Sequence, residues 1–216
     1  MDLSFVARFL PSLLEGTLVT LELSVLAIAA ALILGMVIAL AALSGRKALT
    51  LSAGAFVQSM RNTPLLVQLY LVYFGLGMIG LGLSAFVSGL IALTAQNSAY
   101  IAEIYRGGLQ SVSIRQFEAG RALGMRRSTL YTTVILPQVI ARVVPPLTNQ
   151  SISIIKDTSQ VAAIAVMEIM KITEVWVETS ANTYDVFLGA ALIYLALTSI
   201  AGLIGKLAER RLAFAQ

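Results

Sequence analysis

Between Arg61 and Glu103 this chain of 216 residues carries no charged side chain at all. Two further uncharged runs cover Leu23–Gly45 and Val186–Gly205. Each run reaches or exceeds the ~20 apolar residues that carry a helix across a bilayer. The 61–103 interval is too long for one crossing. Its middle, Gly75-Leu-Gly-Met-Ile-Gly-Leu-Gly-Leu-Ser84, is rich in glycine, so two spans joined by a turn are expected. With 58% hydrophobic and 12% charged residues, the chain holds far more apolar surface than a soluble domain hides. The pattern predicts an all-α integral membrane protein with about five transmembrane helices, near 17–43, 52–74, 85–106, 129–155 and 186–206. Residues 1–16 and 165–184 read as interfacial helices or loops, and 1–216 as a single transmembrane domain.

The charges that remain give the orientation. With the N-terminus outside, the inner segments hold Arg46, Lys47, Arg106, Arg115, Arg121, Arg126, Arg127, Lys206, Arg210 and Arg211, ten of the fifteen basic residues. The outer segments hold only Arg8 and Lys171. Inner loops of membrane proteins collect Lys and Arg, so the expectation is N-terminus outside, C-terminus inside, with 107–128 in the cytoplasm. The first span reads as an uncleaved anchor, because Leu23–Leu43 is too long for a signal-peptide core and no basic segment precedes it. The basic residues lie next to spans, which points to lipid headgroups and not to nucleic acid.

The chain has no His and no Cys. That removes thiol nucleophiles, imidazole acid–base chemistry and most zinc and iron sites. There is no Gly-x-x-x-x-Gly-Lys-Ser/Thr stretch to cradle phosphates; Gly202-Leu-Ile-Gly-Lys206 has the wrong spacing and lies in a span. The chain is expected to be no enzyme, and to bind no metal or cofactor of its own.

Two stretches carry chemistry. The first is the basic cytoplasmic segment 113–127, Ser-Ile-Arg-Gln-Phe-Glu-Ala-Gly-Arg-Ala-Leu-Gly-Met-Arg-Arg. Ser113 with Gln116 three residues on is a capping-box pattern for a short helix. Phe117, Ala119–Gly120 and Leu123 put small and apolar groups on one side, and Gly124 ends the helix or allows close approach. The second is the fourth span. Pro145–Pro146 predict a kink or an opening, tolerated only where it faces protein or a wet cavity. Polar residues follow at once. Gln150, Ser153 and Asp157 share one face by helical spacing. Asn97 and Tyr100 share a face of the third span. Lys156–Asp157 could equally be an internal ion pair, and Asn97 with Tyr100 could bond helix to helix. Arg61 and Arg142 are long enough to snorkel, and Glu103–Arg106 has the spacing of a helix-end ion pair.

The ordered Glu118-Ala119-Gly120, Gly124 and Leu136-Pro137 resemble the Glu-Ala-Ala signature of the membrane subunits of ABC importers. Arg61-Asn-Thr-Pro-Leu-Leu-Val-Gln-Leu69, Asn97-Ser-Ala-Tyr-Ile-Ala-Glu-Ile104, Arg106-Gly-Gly-Leu-Gln-Ser-Val112, Pro145-Pro-Leu-Thr-Asn-Gln150 and Ile154-Ile-Lys-Asp-Thr-Ser159 are similar to segments of the polar amino acid (histidine/glutamine) permeases. Two positions depart from that pattern, Asn62 for glycine and Gln160 for an apolar residue.

The resemblance implies an ATP-driven amino acid importer of the bacterial inner membrane, working by alternating access. Residues 113–127 would be its cytoplasmic coupling helix, with Glu118, Ala119, Gly120, Leu123 and Gly124 meeting the ATPase. ATP and Mg would sit on that partner ATPase dimer. The other partners would be a second permease copy or sister permease, an extracytoplasmic substrate-binding protein, lipid and the amino acid. The outer segment with Glu168, Lys171, Glu174, Trp176 and Glu178 would be an interfacial helix or the binding protein's docking surface. A zwitterion needs an anion for its ammonium, for which Asp157 is the candidate. Its carboxylate needs donors, here Thr158, Ser159, Asn97 and free backbone N–H groups, and Gln150 could read a polar side chain. The lack of a further acidic residue there tilts toward a neutral substrate such as glutamine. A basic or acidic amino acid, or an ion-coupled secondary carrier using Lys156, Asp157 and Glu103, are the alternatives.

Overall fold

The computed structural model describes residues 3–180 and 182–213. Eight helical segments follow in order: α1 (Leu3–Ala42), α2 (Lys47–Arg61), α3 (Leu65–Met78), α4 (Ala85–Gln110), α5 (Ile114–Ala122), α6 (Arg127–Ile164), α7 (Ile169–Ser180) and α8 (Thr183–Ala213). Among the described residues there is no strand. Four of these helices contain stretches long and apolar enough to cross a membrane: Arg8–Ala42 of α1, Ala85–Gln110, Arg127–Ile164 and Thr183–Arg211 of α8.

The expected boundaries shift in three places. The first helix is continuous from Leu3 through residue 17, so residues 3–16 belong to the spanning helix's own rod. The expected span 52–74 is two pieces, α2 and α3, parted at Asn62–Thr63–Pro64. Pro64 has no N–H to continue α2, and its ring clashes with the preceding turn. The predicted kink at Pro145–Pro146 does not break its helix: Leu136–Asp157 stays α-helical through both prolines. Packing on both α4 and α8 holds those turns in place. The irregular turns of α6 lie at its two ends instead, a π turn at Tyr131–Ile135 and a 3-10 turn at Thr158–Ile164. Ala165, at φ 63°, then turns the chain into α7.

The break in the second span is sealed by side chains. Gln68 Nε2 donates to the carbonyls of Met60 at 2.9 Å and Thr63 at 3.1 Å, and Gln96 Nε2 of α4 donates to Thr63 O at 3.1 Å. Unpaired carbonyls inside a membrane domain are costly, and two amides remove that cost here. Asn62 takes a negative φ of −95°, so the position does not require the glycine it replaces. Its amide donates to Gln58 Oε1 at 3.2 Å. Gln160 is half-buried in the 3-10 turn, and nothing in the structure explains its polarity.

α4 is the central helix: 56% of its apolar window is buried, against 6% for α8. It runs along α1, where Gly35 replaces any side chain. A Cβ at Gly35 would stand 3.0 Å from Ser98 O and 2.7 Å from Ile101 Cγ2. Small residues let helix backbones approach closely where lipid supplies no hydrophobic drive between them. Leu23, Ala27, Ala31, Leu65, Leu69, Ala92, Leu93 and Ile154 form the core around this contact. Leu18, Val25, Ile33 and Val37 of α1 and Leu192, Leu195, Ile200, Leu203 and Ile204 of α8 are exposed, as lipid-facing residues are.

The segment expected to lie at the outer interface is folded onto the bundle. Ile169, Ile172 and Thr173 of α7 are buried, and the Trp176 ring lies 6.2 Å from Phe9. Lys171 and Glu174 pair at 3.0 Å on the open side. Glu168, grouped in the sequence with those surface charges, is instead wholly buried. Its Oε1 caps α7 by accepting from Lys171 N at 2.8 Å, and its Oε2 accepts from Tyr194 OH at 2.8 Å and lies 3.5 Å from Thr20 Oγ1. One carboxylate thus ties α1, α7 and α8 together.

Two expectations follow. Gly35→Leu overpacks the α1–α4 contact and should destabilise the purified chain by about 1–3 kcal/mol, whereas Gly54→Ala, with nothing within 4 Å of its Cβ, should be neutral or favourable; thermal unfolding in detergent reads both. Burial pushes the Glu168 carboxyl above its ordinary range, against the lowering effect of the Met170 and Lys171 N–H groups and the Tyr194 and Thr20 hydroxyls. The folded state then binds the proton more tightly than the unfolded chain. Stability is full below the ordinary carboxylate pKa and falls as pH rises through the raised value. Glu168→Gln should flatten that slope in unfolding curves taken from pH 4 upward.

Candidate functional site

Within the spanning helices, α4 presents a ladder of polar side chains at helical spacing: Asn97, Tyr100, Glu103 and Arg106. Asn97 is buried. Its Nδ2 donates to Leu93 O at 2.9 Å, and its Oδ1 accepts from Gln150 Nε2 of α6 at 2.7 Å. Two of the expected binding residues, Asn97 and Gln150, are therefore joined directly, and Asp157 lies two turns beyond Gln150 on α6, half-buried. Ser153 lies between Gln150 and Asp157 on α6, half-buried.

Tyr100 stands one turn along α4 and carries the Arg61 guanidinium 5.3 Å from its ring centroid. Glu103 binds Arg106 through both oxygens, at 2.8 Å to Nε and 2.7 Å to the terminal nitrogen. That is the helix-end ion pair its spacing suggests, with Arg61 a further 3.8 Å from Glu103. The Arg142 guanidinium donates to Ser111 O and to Ser111 Oγ at the C-terminus of α4.

Thr158 and Ser159 are placed differently. Thr158 is completely buried and its hydroxyl donates to Ile155 O at 2.7 Å. Ser159 Oγ donates to Lys156 O at 2.8 Å. In this structure both hydroxyl protons go to the preceding turn. Arg61, immediately before the Asn-Thr-Pro break, is a member of the ladder that the expected binding set did not include.

The polar ladder has an open flank. Arg61, Asn62, Asn149 and Lys156 are exposed along it. A cleft between α1 and α8, lined by Phe9, Leu10, Leu13, Gly189 and Leu192, is mostly apolar. Size of cleft is a poor guide to chemistry in a membrane domain, where apolar clefts hold lipid; the charged groups decide the site.

The second region is α5. Ser113 caps it, accepting from Arg115 N at 3.3 Å. Gly124 closes it in the left-handed region at φ +70°, donating to Arg121 O while Met125 N donates to Gly120 O, both at 3.0 Å. This paired closure is a Schellman motif, for which glycine is the natural residue. Gly120 is buried: a Cβ there would meet Leu130 Cδ1 at 2.4 Å. Phe117 packs edge-on against Tyr131 at 5.8 Å between centroids. The single apolar side expected from the sequence is thus divided. Phe117 and Gly120 hold the helix to α6, while Glu118, Ala119 and Leu123 face out, together with Ile114, which the sequence reading did not single out.

Comparison with known proteins gives the same reading. Residues 31–214 match the family of binding-protein-dependent transport system inner membrane components. A putative glutamine transport system permease protein GlnP of Rickettsia bellii is 34% identical over 215 residues, which is 96% of this chain and 97% of that protein. A probable glutamine ABC transporter permease protein GlnM of Bacillus subtilis is 38% identical over 185 residues, 86% of each chain. The crystal structure of an amino acid ABC transporter with histidines superposes with a TM-score of 0.90 at 34% identity, covering 98% of this chain and 99% of that one. The chain belongs to the family of binding-protein-dependent transport system inner membrane components, as an amino acid ABC transporter permease: a multi-pass transport subunit of the inner membrane whose ATPase is a separate protein.

Proposed function

We propose that this permease imports a neutral polar amino acid, of which glutamine is the type, and that the Asn97–Gln150–Asp157 cluster binds it. The observation that carries the reading is the 2.7 Å amide pair between Gln150 and Asn97, with Asp157 two turns along α6 from Gln150. Asp157 supplies the anion for the substrate ammonium. Gln150 and Asn97 supply amide donors and acceptors that match an amide side chain and leave a cationic one without a second counter-charge. The names of the relatives that are 34% and 38% identical support the same substrate class.

The positive-inside count sets the chain N-terminus out and C-terminus in. In that orientation α5 lies on the cytoplasmic side, and Ile114, Glu118, Ala119 and Leu123 form the knob that a partner ATPase receives. Gly120, Gly124 and Phe117 hold the knob in place from behind. The exposed polar flank at Arg61, Asn149 and Lys156 is stable only against protein or water, which a second permease copy or sister permease supplies. Substrate delivered by an extracytoplasmic binding protein then crosses by rigid-body rocking of the pair, alternating between outward-open and inward-open cavities.

Two measurements test this. In proteoliposomes holding the permease with its ATPase and binding protein, and ATP inside, labelled glutamine uptake should require ATP and fall at least tenfold in Asp157→Asn while ATP hydrolysis continues. Uptake indifferent to the substitution would move the site elsewhere. Gly124→Val places a β-branched side chain at φ +70°, where L residues lose about 1–2 kcal/mol. The knob loosens, and uptake should fall severalfold while ATP hydrolysis no longer responds to the binding protein. Unchanged coupling would remove α5 from the mechanism.

A further inference from the structure

We propose that Arg61 is the seat of the substrate's α-carboxylate, a role resting on the amino acid reading above and deepening it. A zwitterion held by Asp157 through its ammonium needs a cation or donors for the other end. The hydroxyls nearest in sequence, those of Thr158 and Ser159, donate to Ile155 O and Lys156 O in this structure. Three other cations lie on α4 and α6 toward the polar ladder. Arg106 is locked in a bidentate pair with Glu103. Arg142 is bound to Ser111 at the end of α4. Lys156 is exposed and next to Asp157 in sequence, and the Lys156→Gln arm of the test below separates it from Arg61.

The Arg61 guanidinium donates no hydrogen bond to any described residue: it lies on the Tyr100 ring and 3.8 Å from a Glu103 oxygen already held by Arg106. Arg61, Glu103 and Arg106 together carry one net positive charge (two cations against one anion), so the cluster has room for one anion. A guanidinium presents parallel N–H groups in the spacing of a carboxylate, and the aromatic face beneath it fixes its plane. The break at Asn62–Pro64, sealed by Gln68 and Gln96, fixes where the side chain starts.

Asn97 and Tyr100 are one turn apart on α4, a rise of about 4.5 Å, so the guanidinium on Tyr100 lies along the same helix as the Asn97–Gln150 pair.

The test separates a carboxylate seat from a structural role. The permease–ATPase complex is placed in nanodiscs without binding protein, and binding of L-glutamine and of its α-amide, which has lost the carboxylate charge, is measured by competition against labelled L-glutamine. Wild type should prefer L-glutamine by at least tenfold. Arg61→Gln should weaken L-glutamine to the level of the α-amide and leave the α-amide itself unchanged, which also shows that the variant is folded. Arg61→Lys should keep part of the preference. If Arg61→Gln weakens both ligands equally, or keeps the tenfold preference, the proposal is overturned. It is also overturned if the preference disappears in Lys156→Gln and persists in Arg61→Gln. Wild type that binds L-glutamine and its α-amide equally well sinks the carboxylate seat alone. Wild type that binds none of L-glutamine, L-arginine and L-glutamate sinks the amino acid site itself, and this proposal with it.

Discussion

A helix broken inside a membrane domain leaves carbonyls that no water reaches, and the way this chain satisfies them organises everything near the site. Pro64 ends the continuity of the second span. The Met60 and Thr63 carbonyls that face the gap accept from Gln68, and Thr63 accepts again from Gln96. Gln96 belongs to α4, so the break is stitched directly to the central helix. That stitch holds the end of α2, and with it Arg61, against the same stretch of α4 that carries Asn97 and Tyr100. Without it, the cation and the amide pair would have no fixed relation.

α4 can act as this rail because its other sides are occupied. Gly35 lets α1 come within contact of the Ser98 carbonyl, and Gly108 accepts Val143 of α6 on the opposite flank. Close backbone packing of this kind replaces the hydrophobic drive that lipid removes. Glu168 does a related job at the other end of the bundle, where one buried carboxylate binds the start of α7 to α1 and α8. The buried polar groups thus sit where helices must be held at a particular angle, and the apolar residues left outside face lipid.

α5 shows the same economy on a smaller scale. A nine-residue helix has too few bonds to be stable alone. It persists because Ser113 caps one end, Gly124 closes the other, and Gly120 and Phe117 seat it on Leu130 and Tyr131. What remains outward is a small protruding surface of Ile114, Glu118, Ala119 and Leu123.

The sequence by itself determined the membrane class, the helical architecture and the family. Those follow from uncharged runs, basic clusters and ordered motifs, all of which are local patterns along the chain. Local pattern also marked Asn97, Gln150 and Asp157, because polar residues in an apolar helix need partners whatever the fold. Only the tertiary structure decided what each partner was. Pro145–Pro146 read as a break, yet the neighbouring helices keep that region helical, and the true interruption lies at Pro64. Glu168 read as one of several surface charges, yet the fold buries it alone. Thr158 and Ser159 read as ligand donors, yet their protons go to their own helix turn. Arg61 read as a side chain long enough to snorkel, and the fold lays its guanidinium on Tyr100, 3.8 Å from a Glu103 oxygen that Arg106 also holds. Burial and hydrogen-bond partnership depend on residues distant in the chain, so no spacing rule along a single helix could have assigned them.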